Sequence, residues 1–189
     1  PKGQVQRILC STDILPWTVH QNLEHLWGCE VFDHYGMTET GLGGGVDCEA
    51  HQGYHLREAD LYYEIINPVT GETLPDGESG EVVVTTLTRM GMPLVRYRTG
   101  DISRFIPGIC PCGSFIKKLA SIQLRMHSGV KLGQAEVYPA DLDEALFKLE
   151  GLLDFSASLV NVECGEELAL AVRCISGFEI QQDKVMTAL

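Results

Sequence analysis

Three clusters of residues in this chain are equipped for chemistry. Val31-Phe32-Asp33-His34-Tyr35-Gly36-Met37-Thr38-Glu39 reads as a short apolar strand that stops in a loop carrying an aromatic ring, a hydroxyl and a carboxylate. A flat ring offers a stacking surface, Gly36 lets backbone approach a ligand closely, and a carboxylate oxygen suits a hard cation such as magnesium, so the loop has the parts of a nucleotide site. Pro93-Leu94-Val95-Arg96-Tyr97-Arg98-Thr99-Gly100-Asp101 ends on a carboxylate whose two oxygens can each accept a hydroxyl proton. Cys110-Pro111-Cys112-Gly113 puts two thiols on one turn, and Cys48 lies upstream with His51 or His55. Three sulfurs and an imidazole make a sufficient tetrahedral set for zinc, and Cys48-x-x-His51 has a familiar zinc spacing. Each cluster also has a plainer reading, as a Tyr-Gly turn, a Gly-Asp turn and unbonded thiols.

The elements that must position these groups follow from periodicity. Ile8 to Ser11 reads as a buried strand ending in the polar Thr12-Asp13 loop. Pro16 then suits the first turn of a helix, Val19, Leu23, Leu26 and Trp27 recur on one face, and Gly28 supplies the stop. With the strand Glu30 to His34 this makes strand, helix, strand, the unit of a parallel sheet whose ligands bind at the carboxyl ends of the strands. Thr40 to Val46, with Gly41, Gly43, Gly44 and Gly45, predicts a tight or mobile loop with exposed backbone. It lacks the Gly-Lys-Ser/Thr ending of a phosphate-binding P-loop. Leu61 to Ile66 and Glu81 to Leu87 predict strands, with turns at Asn67 to Gly71 and Leu74 to Gly77, so a β meander follows. Farther on, Pro139 to Leu149 predicts an amphipathic helix with Leu142, Ala145, Leu146 and Leu149 inward and Asp141, Asp143 and Glu144 on a solvated face near its positive end. Ser156 to Val160 and Leu168 to Ile175 predict two strands, with a further helix starting near Leu189. The fold class is α/β followed by a small α+β portion.

Composition sets limits. The chain has 189 residues, 44% of them hydrophobic, enough for a packed core. A net charge of −12 argues against nucleic acid or an anionic membrane as partner, since both repel an acidic surface. No run approaches the roughly 18 apolar residues of a membrane span. Seven cysteines without a disulfide-scaffold pattern predict a reducing cytoplasm, and Cys10, Cys29, Cys164 and Cys174 sit beside apolar runs as small hydrophobes. An opening Pro1-Lys2-Gly3 without methionine predicts a piece of a longer chain.

Tyr35-Gly36-Met37-Thr38-Glu39 and Tyr97-Arg98-Thr99-Gly100-Asp101 occur in family order with a meander between them, and they resemble the adenine-binding and ribose-binding segments of the adenylate-forming enzymes. The chain as a whole is similar to the phenylacetate-CoA ligase branch of that superfamily. The resemblance implies that Tyr35 stacks on adenine, that Thr38 reaches the α-phosphate, that Glu39 helps hold magnesium, and that Asp101 accepts both ribose hydroxyls. Asp33 and Gly36 would complete the ATP/AMP site. Leu124-Arg125-Met126-His127 is similar to the Gly-Arg-x-Asp hinge segment, with only the arginine kept, and Arg125 would reach ribose or phosphate. Residues 1–123 would then be the later part of an AMP-binding domain and 124–189 the start of a mobile C-terminal domain. Among the histidines, His55 is preferred as zinc ligand beside Cys48, Cys110 and Cys112, because it opens a strand and resembles the Gly-x-His pattern of zinc-bearing relatives. The implied reaction joins a carboxylate, aryl by analogy, to coenzyme A through an acyl-adenylate. The phosphate loop and C-terminal lysine of the family are not in these residues, so the chain alone is expected to be inactive. A homodimer, a carrier-protein acceptor, a nucleotide-sensing module and a zinc-organised interaction domain stay open as alternatives.

Overall fold

The computed structural model describes residues 3–162 and 165–189. The apolar patches at either end of the first helix pattern form two parallel strands, β1 (Arg7–Cys10) and, after α1 (Trp17–Trp27), β2 (Glu30–Tyr35), with Cys10 opposite Asp33. Gly28 ends the helix at φ 63°, and its N–H donates to the Glu24 carbonyl at 2.8 Å, which a left-handed glycine cap is suited to do. Two expectations are corrected here. β1 is half exposed, with Leu9 59% accessible, because it is the outer strand of its sheet. The helix buries Thr18 and His20 while Leu26 and Trp27 stay exposed, since periodicity tells which residues share a face and not which face is covered.

The glycine run is also different from the exposed loop expected. Gly43, Gly44 and Gly45 are buried, and Gly45 opens β3 (Gly45–Val46), which pairs with β2 on one side and β4 (Tyr54–Leu56) on the other. The reason is close packing: a Cβ on Gly43 would lie 2.0 Å from His34 Nε2, and one on Gly44 would lie 2.7 Å from the Tyr63 hydroxyl.

The meander is present as β5 (Leu61–Ile66), β6 (Gly80–Thr86) and β7 (Tyr97–Ser103), all antiparallel. Asn67 shapes the first turn by accepting from the Val69 and Thr70 amides at 2.9 and 3.1 Å. β6 is central, so Val82, Val83 and Val84 are all buried. β8 (Phe105–Ile106) and β9 (Lys118–Leu119) return to the first sheet, whose order is β1-β2-β3-β4-β9-β8, and β10 (Leu124–Arg125) completes a second, β10-β7-β6-β5. One core joins them through Tyr35, Tyr54, Leu56, Tyr63, Val84 and Leu119.

Contacts divide the chain into two units. One comprises the stretch up to Leu15 with Asn22–Met126, the other Pro16–Gln21 with His127–Leu189. The second unit holds the hairpin β11 (Val130–Leu132) and β12 (Ala135–Val137), α2 (Pro139–Leu146), the long hairpin β13 (Leu152–Val162) and β14 (Gly165–Cys174), and α3 (Gln182–Ala188). α2 is shorter than expected and turns off after Leu146, whereas both hairpin strands are longer than expected. Leu142 and Leu146 are buried with Val185 as predicted for the inner face. Asp141 caps α2 by accepting from the Tyr138 amide at 3.1 Å. Glu144 is not simply solvated, because it accepts from Thr18. Cys10, Cys29 and Cys174 are partly buried free thiols, and Cys164 lies outside the described residues. Among the described residues no helix is long and apolar enough to cross a membrane.

Candidate functional site

The carboxyl end of β2 and the middle of β7 meet at one buried carboxylate. Tyr35 donates its hydroxyl to Asp101 Oδ2 at 3.0 Å, and Arg125 donates Nε to Oδ1 at 2.8 Å. Asp101 is 1% exposed, whereas the Arg125 side chain is mostly accessible. The Arg125 position follows from pairing, since β10 sets it opposite Asp101. Asp101 lies within its strand, which runs on to Ser103, so the plainer reading of a Gly-Asp turn does not hold. Asp101 closes a bulge in which β7 has three residues, Thr99, Gly100 and Asp101, between Arg98 and Ile102 where β6 has one, Val82, between Val83 and Glu81. Gly100 takes φ 77° there, Thr99 Oγ1 donates to the Val82 carbonyl at 2.8 Å, and the Gly100 amide donates to Glu81 Oε1 at 3.2 Å. Those bonds replace lost ladder bonds, and the bulge re-aims its last residue.

Around this carboxylate lie Thr12, Asp13, Asp33, His34, Gly36, Tyr54 and Ile122, which line a shallow cleft with Tyr35, Asp101 and Arg125. Asp33 accepts the Tyr54 hydroxyl at 2.5 Å, and the Tyr54 ring stacks on Tyr35 with centroids 5.8 Å apart. Burial, then the nearby Asp101 and Asp33 charges, push the Tyr35 and Tyr54 phenols above their usual range, so both stay protonated and donate. The bond to Asp101 likewise raises the Arg125 guanidinium and keeps it charged. Thr38 and Glu39 follow in a single 3₁₀ turn, Thr38–Thr40, with Thr38 exposed and Glu39 half-buried. Thr40 anchors the turn by donating to the Met37 carbonyl at 2.9 Å.

Sequence reasoning missed three supports. Tyr97 donates its hydroxyl to Glu39 Oε1 at 3.0 Å, and Arg89 Nη1 donates to the Glu39 carbonyl at 2.5 Å. Tyr54 is the third. Tyr97 stood inside the quoted Tyr-Arg-Thr-Gly-Asp segment, but nothing local indicated its partner.

Around β4, which carries His55, the residues Cys48, His55, Cys110 and Cys112 bring one ligand atom each within 4.8 Å of one another. Cys48 Sγ lies 3.6 Å from Cys110 Sγ, and Cys112 Sγ lies 3.4 Å from His55 Nε2. A tetrahedral zinc site with about 2.3 Å bonds to sulfur has edges of roughly 3.7 Å, so the donor set fits that ion. A hydrogen bond from the Cys112 amide, acting against burial, brings the Cys110 thiol down to about 7, while burial pushes Cys48 up to about 11. A thiol at 7 supplies thiolate readily at neutral pH. His55 Nδ1 is buried without a hydrogen-bond partner among the described residues. His51 stays out of the cluster, pairing through Nδ1 with Asp47 Oδ2 at 2.6 Å.

The fold and part of the sequence are similar to those of AMP-binding, adenylate-forming enzymes. Residues 1–91 match the family described as AMP-binding enzyme. The chain is 36% identical over 141 residues to a phenylacetate-coenzyme A ligase of Pseudomonas putida, covering 72% of this chain and 31% of that protein. It is 38% identical over 138 residues to the ligase of the same name from Aromatoleum evansii, covering 70% and 30%. Its fold is that of a solved 2-hydroxyisobutyryl-CoA ligase in the postadenylation state, with a TM-score of 0.75 at 24% identity over 88% of this chain and 36% of that one. The ATP-bound MatB of Rhodopseudomonas palustris gives 0.63 at 20% identity, over 95% and 37%. The chain is thus similar to the AMP-binding enzymes over residues 1–91 and to phenylacetate-coenzyme A ligases over 70–72% of its length. It spans about a third (31%) of the length of the first curated relative that it matches.

Proposed function

We propose that this chain supplies the adenosine-binding part of an ATP-dependent carboxylate-CoA ligase. One observation carries the reading: two motifs 66 positions apart share a single buried carboxylate, with Tyr35 on one oxygen and Arg125 on the other. Residues 1–123 form the later part of the AMP-binding domain in this reading, and residues 124–189 begin a mobile C-terminal domain. Asp101 accepts the ribose hydroxyls, Tyr35 with Asp33 and Gly36 borders adenine, Arg125 reaches ribose or phosphate, and Thr38 reaches the α-phosphate. The Glu39 carboxylate is a hard donor that would help hold magnesium, and the ion would supply positive charge to offset that of the phosphates. In the first half-reaction a carboxylate oxygen bonds to the α-phosphorus of ATP and pyrophosphate leaves. In the second, the thiol sulfur of coenzyme A bonds to the acyl carbon and AMP leaves. The first step needs positioned reactants and offset charge more than a base, which suits a site of binding groups. The names of the relatives favour an aryl acid such as phenylacetate. Cys48, His55, Cys110 and Cys112 hold a structural zinc, and unbonded thiols suit a reducing cytoplasm.

The test is carboxylate-dependent exchange of labelled pyrophosphate into ATP, run across aryl, fatty and amino acids. A full-length ligase that carries this stretch should exchange with an aryl acid and form a thioester with free coenzyme A, whereas the 189 residues alone should not exchange. Exchange without thioester formation would favour a carrier-protein acceptor, and nucleotide binding without exchange a sensing module.

A further inference from the structure

Glu39 is held from two sides by residues with no role so far. Its side chain receives the Tyr97 hydroxyl on Oε1 at 3.0 Å, and its carbonyl receives Arg89 Nη1 at 2.5 Å. Arg89 is itself fitted to the turn, since a Cβ on Gly41, at φ 76°, would come within 2.5 Å of its Nη2. Tyr97 is the first residue of β7, the strand that also carries Asp101, and its hydroxyl feels the Asp101 and Arg125 charges. In the bond to Glu39 the phenol hydroxyl donates and the carboxylate oxygen accepts. A carboxylate on a short surface turn would otherwise rotate about its terminal torsion, which is broad. With Oε1 engaged, the other oxygen is the one left to meet a cation.

We infer that Tyr97 is a positioning residue, fixing the Glu39 carboxylate so that one oxygen is presented to the metal-bound phosphates of the nucleotide. The inference rests on the assignment of Glu39 above and adds the residue that orients it. It links the strand carrying the ribose ligand to the turn carrying the metal ligand, so one element aligns both ends of the nucleotide.

Tyr97→Phe keeps the ring and removes only the donor. Calorimetric titration of the full-length ligase with ATP in magnesium, and with AMP in a metal-free buffer, separates the effects. Tyr97→Phe should weaken magnesium-ATP binding about tenfold, as expected for losing a hydrogen bond to a charged group, and leave metal-free AMP binding within about twofold. The half-saturating magnesium concentration in pyrophosphate exchange should rise in parallel. Equal weakening of both titrations, or of neither, would overturn the inference, because a purely structural tyrosine would not discriminate by metal. Glu39→Gln separates the two layers. If it leaves the magnesium dependence intact, the assignment of Glu39 itself fails; if it abolishes the dependence while Tyr97→Phe does not change it, the role of Tyr97 alone fails.

Discussion

Asp101 joins Tyr35 and Arg125 through one side chain. At 1% exposure it is a buried charge, tolerable because Arg125 and the Tyr35 hydroxyl each satisfy an oxygen. Asp101→Asn preserves shape and removes the charge that the ribose reading requires. It should weaken AMP binding by about ten- to a hundredfold, since a hydrogen bond to a charged group is worth about 1.5–3 kcal/mol. Titration calorimetry of the full-length ligase measures this, and an unchanged affinity would take Asp101 out of the nucleotide site. At this scale the motifs were legible because each is contiguous: a ring, a hydroxyl and two acids are plain in Tyr35 to Glu39 and in Asp101. Their supports were not. Tyr54 meets Asp33 across 21 positions and Tyr97 meets Glu39 across 58, distances that no local pattern encodes.

Among elements, α2 shows what a helix pattern conveys and what it hides. Its inner face, Leu142 and Leu146, follows from spacing, and Pro139 at the first turn marks the start. The fate of Glu144 does not follow, because its partner comes from another segment of the same unit. Thr18 donates its hydroxyl to Glu144 Oε1 at 2.6 Å and its amide to Oε2 at 3.0 Å. Burial pushes the Glu144 carboxyl up, but these two bonds, with Lys148, outweigh it and hold the group below its ordinary 4.5. A carboxyl depressed on folding contributes stability that is fully present above 4.5 and is lost as pH falls through the folded value. Thr18→Ala should therefore destabilise the chain by about 1 kcal/mol at neutral pH, discounted for partial exposure, and by less under acid conditions. Urea unfolding at both pH values checks it, and an equal loss at each would refute the link. The glycine run teaches the same lesson, since four glycines in five positions signal an unusual backbone but not whether solvent or His34 and Tyr63 surround it.

For the molecule as a whole, the cysteine-histidine cluster is the feature with the widest reach, since it joins the turn after β3, the strand β4 and the turn between β8 and β9. If those four side chains hold zinc, purified protein should carry one equivalent by elemental analysis. A strong chelator should then lower the melting temperature reversibly, with zinc restoring it, because binding to a site formed only on folding adds its free energy to stability. Metal-free protein with an unchanged melting temperature would leave the cluster as four close side chains and nothing more. By itself the sequence determined the groups available for chemistry, the strand-helix-strand start, the meander and the inner face of α2. All of these rest on residue type and short-range periodicity, which a linear chain displays directly. Only the tertiary structure decided which groups meet: the bulge that turns Asp101 inward, the pairing that brings Arg125 beside it, the register that groups His55 with the cysteines and leaves His51 to Asp47. The physical reason is that strand pairing is a long-range choice, made by whole sheets burying a common core, and a side chain's partner is settled only after that choice.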